Sequence, residues 1–334
     1  MTSPAVTSPA VTSPAKTPPA MPSSYQLWRD NRGRLSVLRI VTLALLLWPI
    51  GLALVAWQTE IRFEARPVND LIHRAGFWML MFLLLALAIT PLRRIARYGQ
   101  LVDVRRMIGV GAFCYGAAHL TLYAVDQMFD LAHVASEIAL RIYLTIGFTA
   151  WLGLATLAAT STDGMVRALG GPRWQRLHQL VYLIGILGIV HFFEQTKLDV
   201  SVPTLVAGLF TWLMGYRLIA SRWKRPGELP TWLLLALAVA ASALTFAGEA
   251  IGFGIAFNVS PLAVLQQTAF VFDLDNLDMV RPGWYVLAGG LGVCVVDLIC
   301  ARWRARRPRK PVPARAPVEA ANRASNSVLP RASG

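Results

Sequence analysis

The sequence predicts an all-α, polytopic membrane bundle, and three observations predict it. Hydrophobic residues fill 55% of the 334 positions and charged residues only 15%. Mean hydropathy is +0.50, a balance that leaves too little polar surface to clothe a soluble domain. Several apolar runs reach the roughly 20 residues a helix needs to cross a hydrocarbon core about 30 Å thick. The alternating segments of about 10 residues that build a closed barrel are missing. Lys and Arg lie in short clusters between the apolar runs, as topological signals do. That distribution also argues against the nucleic-acid binding that a net charge of +14 invites.

Taken in order, residues 1–34 begin with Thr-Ser-Pro-Ala repeats at Thr2, Thr7 and Thr12. Such a composition buries no core and reads as a disordered tail. It does not read as a signal peptide: Arg29, Arg32, Arg34 and Arg39 precede a long span with no small-x-small cleavage site. Eight apolar spans follow, at 37–57, 71–92, 107–125, 139–160, 178–193, 201–220, 231–257 and 284–301. The fifth is short and is expected to extend back past Trp174. The seventh is long and is expected to tilt, or to break near Gly252 and Gly254. The expected organisation is a six-span core over 35–222, an additional two-helix segment over 223–303 and a basic disordered tail over 304–334. Cys114, Cys294 and Cys300 fall within apolar runs, without metal or disulfide spacing, and read as small packing residues.

An even number of spans puts both termini on one side. Six of the 32 Lys and Arg lie on the other side, namely Arg62, Arg66, Arg74, Arg141, Lys197 and Arg281. The imbalance predicts cytoplasmic termini and, for a bacterial chain, an inner-membrane protein. The loop acids Glu60, Glu64, Asp70, Asp126, Asp130, Glu137, Glu194, Asp199, Asp273, Asp275 and Asp278 share the outer side with those six cations.

Ionisable residues inside a bilayer are costly, which makes the histidines the first candidates for function. His119 lies 13 positions beyond Arg106 in span three, and His191 lies 13 positions beyond His178 in span five. Both are thereby displaced roughly 20 Å toward the outer face. Two neutral imidazoles at equal depth on different helices suit bis-histidine ligation of a haem iron. A pair of hydrogen-bonded packing histidines is the alternative. His178 sits at the inner end of span five, level with Arg105 and Arg106 rather than with a partner histidine. With Arg167, Arg173 and Arg176 near in sequence, that end reads as an anion or flavin-phosphate site. Topology-setting arginines beside an interfacial histidine fit the same spacing. Thirteen steps place His178 and His191 about 140° apart on an ideal helix, so the helix twists or bends, with Gly185 and Gly188 as the candidate positions, or the two face different neighbours. His73 opens span two at the outer surface, near Asp70 and Arg74, in reach of a haem, a quinone or a partner, with an ordinary interfacial histidine as the commoner reading. His133 reads as a solvated loop residue. Glu249 and Asp297 are unusual within spans seven and eight, and Asp297 is expected to pair with Arg302 or a neighbouring helix. The sequence has no Gly-rich nucleotide loop, zinc pattern or nucleophile elbow.

Several ordered blocks resemble one known family. They are Asn69-Asp70-Leu71-Ile72-His73, Ile89-Thr90-Pro91-Leu92-Arg93-Arg94, Arg105-Arg106-Met107-Ile108-Gly109 and Ala118-His119-Leu120-Thr121. Ala159-Thr160-Ser161-Thr162 before Leu169-Gly170 follows. The longest runs from Trp174-Gln175-Arg176-Leu177-His178 through Gln179-Leu180-Val181-Tyr182-Leu183 and ends in Val190-His191-Phe192-Phe193. Over about residues 37–220 the chain resembles the haem-binding membrane subunits of bacterial periplasmic methionine-sulfoxide reductase systems, which have a ferric-reductase-like transmembrane fold. The resemblance implies haem b on His119 and His191, with His178 a further cofactor position or a ligand to a second haem. It implies FMN, with electrons from the quinone pool or a cytosolic flavin reductase. The acceptor it implies is a periplasmic molybdopterin subunit that reduces methionine sulfoxide, so this chain is the electron-transfer subunit and not the catalytic one. Family members end soon after the sixth span, whereas two further spans follow here. The rival readings are a cytochrome b reductase with another acceptor, a transporter built on broken helices, and a scaffold without redox chemistry.

Overall fold

The computed structural model describes Trp28 and residues 34–59, 67–196, 200–223, 229–270 and 280–306. The expected disorder of both tails falls almost wholly outside the described residues. So do Glu60, Arg62, Glu64, Arg66, Lys197, Asp199, Asp273, Asp275 and Asp278. Twelve α-helices are described: α1 Val37–Thr59, α2 Pro67–Ile95, α3 Val102–Asp126, α4 Leu131–Leu140, α5 Ile142–Ala159 and α6 Asp163–Leu169, then α7 Gly171–His178, α8 Leu180–Gln195, α9 Ser201–Arg222, α10 Thr231–Phe257, α11 Pro261–Thr268 and α12 Pro282–Ala305. Among the described residues eight spans are long and apolar enough to cross a membrane, with α7 and α8 counting together as Gly171–Gln195. The chain is therefore a multi-pass, all-α membrane protein, as its composition predicts.

The central post is α2, half of whose most apolar window is buried within the protein. Phe82, Leu83, Leu87 and Ile89 anchor a core shared with Val104 and Ile108 of α3, Ile184 and Ile189 of α8, and Val206 and Leu213 of α9. Lipid gives no hydrophobic drive for helix association, so close approach at small residues takes its place. Gly185 faces the Phe210 ring and Gly188 faces Leu80, each leaving under 3 Å for an added methyl. Arg217 of α9 reaches across to donate to the Leu87 carbonyl at 2.5 Å, and its guanidinium lies over the Tyr182 ring. This tie joins α2, α8 and α9, and spacing alone had assigned Arg217 only a topological role.

Three local departures from the sequence reading matter. Residues 131–140 form a separate short helix instead of a loop, because Asp130 caps it by accepting from the His133 N–H at 2.9 Å. The fifth span does reach past Trp174, and it is interrupted at Gln179 between α7 and α8. The seventh span does not break: α10 runs unbroken through Gly252 and Gly254 and stops at Asn258, whose φ of 52° is a left-handed cap. On that last pair of spans, Asp297 accepts from the Thr231 hydroxyl at 2.7 Å, a neighbouring-helix partner. Glu249 takes Arg281 in a buried two-point ion pair, Nη2 to Oε1 at 2.6 Å and Nε to Oε2 at 3.3 Å.

Candidate functional site

A cavity of about 420 Å³ opens between α2, α3, α5 and α8, at the end of the bundle where α2 and α5 begin and α3 and α8 finish. That volume is within the roughly 300–1,000 Å³ of cofactor and small-molecule sites. His119 and His191 face one another across it, their ring centres 6.3 Å apart and their planes at 85°. Both are half-buried. His73 and His133 also line the cavity; His133 is exposed, as expected, but on the short helix α4 at the rim and not in a loop.

Each facing histidine is held in the same way. His119 Nδ1 lies 2.8 Å from the Ile72 carbonyl of α2, and His191 Nδ1 lies 2.8 Å from the Tyr143 carbonyl of α5. A carbonyl only accepts, so Nδ1 carries the proton in both rings and Nε2 is the bare nitrogen. The residue four positions after each carbonyl is a glycine, Gly76 and Gly147. In a helix that residue donates to the same carbonyl, and any side chain on it would stand where the imidazole approaches. A methyl at Gly76 would come within 3.1 Å of His119 Nδ1, and one at Gly147 within 2.7 Å of His191 Nδ1 and Cε1. The two glycines are thus backbone windows through which an imidazole reaches a helical carbonyl. They are the signal that sequence reading missed: a glycine four residues beyond a helical carbonyl, on the helix beside each histidine.

His119 and His191 would hold a metal placed between their rings. Bonds of about 2 Å from one metal to two opposed imidazole nitrogens put the ring centres roughly 6 Å apart. Among the described residues no cluster of three or more His, Cys, Asp or Glu could hold an ion unaided. A two-histidine site needs its remaining ligands from a macrocycle, which is what haem supplies. Because outer partners that orient a ligating histidine are worth 10–100-fold in metal affinity, Gly147→Ala is expected to lower haem affinity by about tenfold. Gly76→Ala is expected to have the smaller effect, since its contact is looser. Titration of each variant with haem checks the order; equal retention in both would remove the orienting role.

The other sequence-predicted residues gather at the opposite end. His178 Nε2 lies 3.2 Å from the Thr160 hydroxyl, and its ring stacks on Trp174 at 3.9 Å. Trp174 in turn donates to the Thr160 carbonyl at 2.8 Å. His178 and His191 therefore both contact the α5 segment, at its two ends, and the interruption at Gln179 relieves the rotational mismatch of an ideal helix. Arg106 binds Asp163 at 2.6 Å and, through that hydrogen bond and its charge, holds the Asp163 carboxyl below the usual carboxylate range. Arg105, Arg173 and Arg176 are exposed. Neither the histidine cavity nor the smaller one beside it, lined by His73, Arg74, Phe77 and Phe192, reaches any of these arginines or His178.

Residues 74–189, from α2 to α8, match the family described as "Ferric reductase like transmembrane component". A protein-methionine-sulfoxide reductase heme-binding subunit MsrQ from Xanthomonas campestris pv. campestris (strain 8004) is 43% identical over 182 residues, which are 52% of this chain and 81% of that protein. The subunit of the same name from Rhodospirillum rubrum is 40% identical over 205 residues, 61% of this chain and 96% of that protein. One from Xanthomonas oryzae pv. oryzae (strain MAFF 311018) is 42% identical over 171 residues, 51% and 76% respectively. No solved structure matches the chain. Kinship at this level over most of each relative's length, on a bundle that presents two opposed and oriented histidines, means that the chain belongs to the MsrQ family.

Proposed function

We propose that this protein is the haem-holding, electron-transferring membrane subunit of a protein-methionine-sulfoxide reductase system. The observation that carries the reading is the facing pair His119 and His191, each with Nδ1 engaged by a helical carbonyl and Nε2 left to ligate. Haem b, when bound, supplies one-electron chemistry at its iron. The chain's own residues hold the ligands rigid, exclude water with Leu80, Phe148 and Trp151, and set the surrounding dielectric. His73, on the cavity wall, is a further cofactor contact.

The direction of transfer is part of the same proposal. The termini are cytoplasmic by the distribution of Lys and Arg, so electrons enter at the arginine end and leave by the histidine end. Arg105, Arg106, Arg173, Arg176 and His178 are the candidate contacts for FMN, whose phosphate guanidinium groups suit. A quinone or flavin-reductase donor and a periplasmic molybdopterin subunit as acceptor complete the reading. FMN, donor and acceptor rest on family resemblance and on charge, not on any contact between residues. Residues 35–222 form the haem core in this account and 223–303 an added two-helix segment. The unbroken α10 takes away the helix break that a transporter reading would use.

The test is a dithionite-reduced-minus-oxidised visible spectrum of the detergent-purified protein, with haem and flavin quantified per chain. A sharp low-spin b-type α-band with about one haem per chain is expected. A folded, colourless protein would leave a transporter or scaffold as the better account.

A further inference from the structure

The wall of the histidine cavity is chemically lopsided. Phe148 and Trp151 lie about 10 and 15 Å farther along α5 than Arg141, which stands at its start. The apolar wall is therefore deep, and the polar residues edge the mouth. On α4 and its C-cap, His133, Glu137 and Arg141 recur at intervals of four, one stripe of the helix, and all three line the cavity. Arg141 is the one Lys or Arg among the lining residues.

Arg141 sits at the break between α4 and α5, in extended backbone that caps both helices. Its Nε lies 2.5 Å from Glu137 Oε2, and its Nη1 donates to the Tyr143 hydroxyl at 3.0 Å. The Tyr143 backbone carbonyl is the one that orients His191. A planar, permanently charged donor fork thus stands at the mouth of a site whose far wall is apolar, two residues from the carbonyl that holds His191.

Haem b has the matching asymmetry: one edge is hydrocarbon and the other carries two propionate carboxylates. Burying a carboxylate without donors is costly, and guanidinium presents paired N–H groups in the geometry a carboxylate accepts. We infer that Arg141, with Tyr143 beside it, is the propionate seat, so that the porphyrin lies hydrocarbon edge inward and acid edge toward the α4 rim. Glu137 is the internal stand-in, a carboxylate that occupies the guanidinium until a propionate replaces it. The inference rests on the haem reading above and adds to it the orientation of the macrocycle and the residue that sets it.

The experiment titrates protein from haem-starved cells with haem and, separately, with haem dimethyl ester, whose acid edge is neutral. The wild type is expected to prefer haem by about two- to fivefold, the worth of an ion pair at a half-exposed guanidinium. Arg141→Gln should weaken haem by about that factor and leave the ester unchanged, erasing the preference. Equal partial losses for both porphyrins, or no loss for either, overturn the inference. If Arg141→Gln takes up neither porphyrin, Glu137→Gln decides instead. It frees the guanidinium, so its preference for haem must rise, and an unchanged or smaller preference overturns the seat. A wild type that binds neither porphyrin overturns the haem reading itself, and this inference with it.

Discussion

His119→Ala and His191→Ala are each expected to abolish the low-spin haem spectrum and cut bound haem to less than about a tenth, while the protein still inserts. The size follows from the geometry. The two rings stand 6.3 Å apart on helices α3 and α8, which belong to a packed core, so neither can swing over to replace the other. Removing one leaves a single axial imidazole and a void where its partner stood. Neither substitution touches the apolar residues that drive insertion, since both rings face the cavity. His178→Ala is the contrasting case, because its Nε2 is turned to Thr160 at 3.2 Å and its ring to Trp174. That variant should keep the cavity haem. Haem per chain and the reduced α-band, measured on all three purified variants, make the comparison. Normal haem in both His119→Ala and His191→Ala would end the axial-ligand assignment.

The second large effect is on stability. Glu249→Ala is expected to destabilise the α10–α12 segment by about 3–5 kcal/mol, the usual consequence of stranding one member of a buried ion pair. Glu249 keeps only 3% of its side chain exposed and Arg281 18%, so water cannot take over the vacated contact. The guanidinium would remain over the Phe253 ring at 5.5 Å, a poor exchange for a two-point carboxylate. Replacing both members with apolar residues of like size should restore most of the loss, since the desolvation of both charges disappears together. Thermal unfolding in detergent, followed by tryptophan fluorescence, reads the change. If 223–303 is an addition to the haem core, the same variant should keep its haem band at temperatures where α10–α12 has loosened. An unchanged transition in Glu249→Ala would show that the pair contributes nothing.

Much of this protein was legible in its sequence, and the reason is the solvent it implies. A bilayer demands about 20 apolar residues per span and tolerates few charges within one. Eight spans, the clusters of arginine and the exceptional depth of His119 and His191 follow from counting. The motifs from Asn69 to Phe193 carried the family as well.

Other features required the chain to be folded, because they join residues that no local period relates. Periodicity could put His119 and His191 at one depth, but only helix packing turns them toward each other. The glycine windows at 76 and 147 pair a residue of one helix with an imidazole from another, 43 and 44 positions away in sequence. The loop-like stretch at 131–140 became a helix because Asp130 caps it, and its polar stripe then met the cavity mouth. Arg217 and Arg281 read as topological charges until their partners, the Leu87 carbonyl and Glu249, came within reach. The sequence by itself determined the class, the spans and which side chains were too costly to be accidental. Tertiary structure alone decided which of those side chains face one another, since a contact between helices depends on rotation about each axis, and a uniformly apolar surface leaves that rotation unspecified.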